Sequence, residues 1–107
     1  MGIAWINLFV AGALEIAWAV SLKYTEGFSK PWPSVLTIAG MIASFYFLAQ
    51  AVKVIPVGTS YAIWTGIGAV GTAILGILLF AESLSLPRLA CIGLILVGIV
   101  GLKWTGP

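Results

Sequence analysis

The stretch GALEIAWAVSLKY, residues 12–24, decides the fold. It is an apolar run with a single carboxylate, Glu15, far inside it and Trp18 three residues further on. A charge at the centre of a membrane-spanning helix costs on the order of 3 kcal/mol, so such carboxylates face a bundle interior or a wet cavity. The run therefore predicts a membrane helix whose middle is polar on one side. The remaining residues agree: of 107, 62% are hydrophobic and 7% charged, and the mean hydropathy is +1.18, well outside the range of soluble domains.

Each helical crossing takes about 20 apolar residues, which gives this chain room for about four. Spans are expected at residues 3–22, 34–52, 58–80 and 87–102, forming one all-α transmembrane domain over residues 1–107. Gly and Pro punctuate the three connections, with Pro56 and Pro87 placed to open helices. Loops this short make neighbouring spans antiparallel. Trp5, Trp32, Trp104 and Tyr24 fall at span ends, where amphipathic rings anchor, whereas Trp18 and Trp64 fall inside spans. The length of the first apolar run, Glu15 within it and the lack of a basic leader argue for a retained span over a removable signal peptide.

The five basic residues stand singly, with no basic run to engage nucleic acid. His and Asp are absent and Cys91 is alone, so one chain holds neither a disulfide nor an ordinary metal site. No cofactor is expected. The same absences argue against an enzyme, because nothing is present to activate a nucleophile in the usual way. Lys53 and Lys103 fall on one side of the membrane and Lys23, Lys30 and Arg88 on the other, a bias of one charge. So small a bias fits a chain with a weakly set orientation. It also fits dual topology, in which two copies insert oppositely and pair, supplying the inverted symmetry that many transporters encode within one chain.

Helical spacing puts Gly12, Glu15, Trp18 and Ala19 on one face, the small residues leaving room around the carboxylate. An acid beside an aromatic wall suits an organic cation; the alternative is a protonated Glu15 bonding a neighbouring helix. In the third span Tyr61, Trp64, Thr65 and Gly68 share a face, with a phenol and an indole N–H as donors, or form an ordinary packing stripe. Gly66, Gly68 and Gly71 permit close helix approach or a bend. Ser44, at mid-depth in the second span, either orients a carboxylate or ligand or bonds a carbonyl one turn back. Gly93, Gly98 and Gly101 mark the fourth span as a packing helix, at a dimer interface or within the monomer. Lys23, Lys53, Arg88 and Lys103 read as snorkelling anchors, and Glu26, Lys30 and Glu82 as solvated loop charges. By helical rise Glu15 lies roughly 18 Å below the surface where the first span starts and Trp64 roughly 9 Å below it. Inverting a second copy brings its Trp64 to the level of the first copy's Glu15.

The segments SLKYTEGFSKPWPSVLTI (21–38) and PVGTSYAIWTGIGAVG (56–71), with four short spans and a lone Glu in the first, resemble the small multidrug resistance transporters over essentially the whole chain. LEIAWAVSLKY (14–24), with Trp18 where the multidrug branch typically has glycine, resembles the guanidinium-exporter branch. Ser60 and Ile63 are mild departures from that branch's third span. The resemblance implies an antiparallel, dual-topology homodimer in the bacterial inner membrane that exchanges protons for guanidinium ion. It implies Glu15 as the shared proton and substrate ligand, Trp18 and Ser44 in its hydrogen-bonding neighbourhood, and Tyr61 and Trp64 lining the site. It further implies Gly66, Gly68 and Gly71 as the conformational switch and the fourth span, with Gly93, Gly98 and Gly101, as the dimer contact. The alternatives are export of quaternary ammonium compounds or polyamines by the same fold, and a non-transporting assembly subunit.

Overall fold

The computed structural model describes residues 2–105, and it folds them into four helices: α1 (Gly2–Tyr24), α2 (Pro31–Ala51), α3 (Val57–Phe80) and α4 (Leu86–Thr105). All four are long and apolar enough to cross a membrane. The helix bounds lie within a few residues of the expected spans. Pro31 opens α2 three residues before the expected start, after Lys30 in extended backbone, because a proline's fixed φ and missing N–H suit a first helical turn. Pro56 stands one place earlier, as the N-cap of α3. α3 ends where Ala81 turns left-handed (φ 53°) and the Glu82 N–H reaches back to the Gly76 carbonyl at 3.3 Å.

The α1–α2 connection is organised by Thr25, a residue the sequence did not single out. Its hydroxyl donates to the Leu22 carbonyl (2.7 Å) and accepts from the Phe28 N–H (3.1 Å), and its own carbonyl accepts from Ser29 and Lys30. Thr25 is fully buried, and the loop turns through left-handed Glu26, Gly27 and Phe28 around it. Beyond the loop the Thr37 and Ser21 hydroxyls, 2.7 Å apart, share the Pro33 carbonyl and tie α2 to α1.

The helices form a bent row rather than a closed bundle. α1 lies between α2 and α3, and α4 packs along the far side of α3, giving a slab of 41 × 34 × 17 Å. The core sits at one end of the slab. There Ala4, Leu8 and Ala11 of α1 pack with Ala51 and Ile55 and with Ile63 and Trp64 of α3. The opposite end, where α1 and α3 finish and α4 begins, is looser and contains a cavity of about 380 Å³. Both faces of the slab carry large exposed apolar side chains, such as Ile42 and Phe45 on α2 and Leu94 and Val97 on α4. A row of helices buries little within itself, so its apolar faces are left for lipid or another protein.

Candidate functional site

The site is built where α1, α2 and α3 pass one another at mid-depth. Glu15 projects from α1 onto α3 at Gly68. A Cβ at position 68 would collide with Glu15 Oε1 and Cδ and stand 2.8 Å from Cγ, so hydrogen at Gly68 is what gives the carboxylate its seat. Oε1 is buried there with no hydrogen-bond partner among the described residues. The same α1–α3 contact continues one turn further on, where Ile16 fills the space that a side chain on Gly71 would take.

Trp18, three residues along α1, turns towards α2. Its Cβ lies 3.0 Å from the place a Gly40 Cβ would occupy, and its Nε1 is buried without a partner. An acidic oxygen without a donor and an indole N–H without an acceptor thus stand one helical turn apart. Buried polar groups of this kind cost about 1–3 kcal/mol each until they are satisfied. They are two of the four buried side-chain polar atoms that lack a partner among the described residues.

The third part is a chain of hydrogen bonds immediately above Glu15. Trp64 Nε1 donates to Ser44 Oγ at 3.0 Å, and Ser44 donates to the Ala11 carbonyl at 2.7 Å. Ala11 lies one turn before Glu15 on α1. Ser44, fully buried, therefore links three helices. This replaces the alternative of a bond to its own helix with a contact across helices. Trp64 in turn carries an aromatic cluster: Tyr61 stands 5.6 Å and Phe45 5.7 Å from it, centroid to centroid, both tilted. Phe45 is missing from the sequence reading, although its place beside Ser44 was the available signal. The stripe proposed on α3 divides: Trp64 and Gly68 face inward, while Tyr61 and Thr65 are exposed on the outer side.

Several expectations need correction. Gly12 does not leave room around the carboxylate, because Ile67 occupies that space, with Cγ2 2.7 Å from where a Cβ would be. The three glycines of α3 face different neighbours: Gly66 meets Ile99 on α4, whereas Gly68 and Gly71 meet α1. All three belong to an uninterrupted helix. Gly93, Gly98 and Gly101 face open space, and only Ile92 of α4 is buried. The monomer thus makes no use of these glycines for packing. Glu82 is not simply solvated and Arg88 not simply a snorkelling anchor, since Arg88 Nη2 donates to Glu82 Oε1 at 2.7 Å. Glu26 and Lys30 do pair at the surface, 3.5 Å apart. Lys103 and Lys23 rest over the Trp5 and Phe80 rings, as anchoring cations do.

Comparison with known proteins adds to this geometry. The sequence profile described as Small Multidrug Resistance protein matches residues 3–95. A protein named guanidinium exporter from Yersinia pseudotuberculosis serotype I (strain IP32953) is 60% identical over 100 residues, covering 94% of this chain and 96% of its own. Its namesake in Salmonella typhimurium (strain LT2) is also 60% identical, with 94% and 95% covered, and that of Proteus vulgaris is 59% identical, with 94% and 96% covered. With four apolar helices and a profile match over most of its length, the chain is a multi-pass membrane protein belonging to the small multidrug resistance family.

Proposed function

We propose that this protein exports guanidinium ion across the bacterial inner membrane in exchange for protons. Two copies, inserted in opposite orientations, would form the working antiparallel homodimer. The observation that carries the reading is the seat of Glu15, a buried carboxylate oxygen held against Gly68 with no partner of its own. The names of relatives at 60% identity support the choice of guanidinium as the cation.

The chemistry follows from the residues. Guanidinium is planar and offers paired N–H donors that match the two oxygens of a carboxylate, and its face rests favourably on an indole. Glu15 supplies the carboxylate, Trp18 a ring and an indole donor, and Trp64 a ring whose N–H is held by Ser44, while Tyr61, on the outer side of this chain, would join them across the dimer. The hydrogen-bonded chain Trp64–Ser44–Ala11 fixes the aromatic wall relative to the helix that bears Glu15. A proton and a guanidinium ion each neutralise the same carboxylate, and they exclude one another from it. If only the neutralised dimer changes access readily, protons moving inward drive guanidinium outward.

The exposed, unoccupied face of α4, with Gly93, Gly98 and Gly101 opening it to close approach, supports the dimer. In that reading Gly66, Gly68 and Gly71 are where α3 slides against its neighbours as access alternates. The test is uptake of guanidinium into proteoliposomes along an opposing proton gradient, with Glu15→Gln and excess tetraethylammonium as comparisons. Uptake that is abolished by Glu15→Gln and insensitive to tetraethylammonium is expected. Efficient tetraethylammonium transport would move the protein to the multidrug type, and uptake intact in Glu15→Gln would remove Glu15 from the mechanism.

A further inference from the structure

The cavity at the other end of the slab begins one turn beyond the Glu15 seat and carries different chemistry. It lies between the last turns of α1, the second half of α3 and the first turn of α4. At about 380 Å³ it falls in the usual range of ligand sites, about 300–1,000 Å³. Its floor is apolar, formed by Ala19, Val20, Ala69 and Ala73. Its rim is charged, with Lys23, Glu82 and Arg88.

Two residues lining this cavity carry buried polar atoms without partners among the described residues, Arg88 Nε and Thr72 Oγ1. Glu82 takes only the Nη2 corner of the guanidinium, and the Glu82 side chain is itself pressed onto Gly76, one turn before the end of α3. Nε–H and the Nη2–H beside it form one edge of the guanidinium, so Glu82 already holds part of that edge, and an oxyanion would meet Arg88 through Nε and the Nη donors that Glu82 leaves. Lys23 stands at the same rim, its ammonium 4.7 Å from the Phe80 ring centroid. Two cations against one carboxylate leave a net charge of +1 around the cavity. A cationic ligand is disfavoured there, and a neutral one leaves the Arg88 edge unsatisfied.

We propose that this cavity binds the phosphate of an anionic phospholipid. The phosphate would accept from Arg88 and Lys23 at the rim, and the start of an acyl chain would lie on the alanine floor, past Thr72. The helix-end position sets the rim at headgroup level, where basic pockets between membrane helices hold anionic lipids. Inorganic phosphate offers the same oxygens but nothing for the apolar floor.

Native mass spectrometry of the detergent-purified protein, titrated with phosphatidylglycerol or phosphatidylcholine, tests this. Phosphatidylglycerol should bind roughly fivefold or more tightly than phosphatidylcholine, a ratio expected for one charge-assisted contact. Arg88→Gln and Lys23→Gln should each erase that preference, while Lys53→Gln, at the other end of the slab, should keep it. Glu82→Gln should strengthen phosphatidylglycerol binding, a gain that misfolding does not produce. Equal retention of the two lipids by the wild type, or a preference unchanged in Arg88→Gln and Glu82→Gln, would overturn the proposal. So would displacement of phosphatidylglycerol by millimolar inorganic phosphate, which would make this a soluble-anion site.

Discussion

Gly68→Ala puts a single methyl group against Glu15 and leaves the rest of the slab as it is. Ordinary carbon–carbon contact needs about 3.5 Å, so Glu15 Cγ, 2.8 Å from the new Cβ, has to retreat by roughly 0.7 Å, and the nearer carboxylate by more. A misplacement of about 1 Å in a positioned group costs on the order of 10²-fold in turnover. Stability moves the other way, since alanine is about 0.5–1 kcal/mol better than glycine inside a helix and the end of a glutamate side chain yields easily. Guanidinium uptake by proteoliposomes should therefore fall about 100-fold, while the melting temperature in detergent is unchanged or higher. Gly71→Ala is the matched comparison. It presses apolar Ile16 in place of Glu15, so it should cost about 1–3 kcal/mol of stability and far less uptake. Gly68→Ala with near-normal uptake would show that the contact with Glu15 plays no part in transport, and a marked loss of its melting temperature would show that Gly68 is needed only for packing.

Ser44→Ala leaves the Trp64 N–H without its acceptor and should destabilise the fold by about 1–3 kcal/mol in thermal melts. Trp64→Phe removes the donor, and the double variant should fall short of the sum of the two, because both act on one link; strict additivity would deny the link. Gly98→Leu with Gly101→Leu should leave the helical content of the monomer intact, since both positions face open space, yet abolish chemical cross-linking into dimers. Unchanged cross-linking would take α4 out of the interface.

The four spans were legible because hydrocarbon thickness imposes a length and a composition that few other sequences share. Glu15 was legible because a lone carboxylate at depth stands out in any register. What the sequence withheld was rotation and pairing. Gly68 reads equally well as a hinge or as a seat, and only the turn of α3 relative to α1 shows that its missing side chain lies under Glu15. The bond of Ser44 to Ala11 crosses from α2 to α1, and no periodicity within either helix contains it. Glu82 and Arg88 were assigned separately because their pairing depends on the left-handed turn at Ala81, a conformation that an alanine does not announce. Thr25 looked like any loop threonine until its six hydrogen bonds appeared.

The most direct test of exchange at Glu15 is proton release on guanidinium binding, followed by a pH indicator in weakly buffered detergent solution. Guanidinium chloride added to the wild type should release protons in a saturable manner, and Glu15→Gln should release none above a sodium chloride control. Saturable guanidinium binding by the wild type with no proton release, or equal release by Glu15→Gln, would contradict competition of the two cations for this carboxylate.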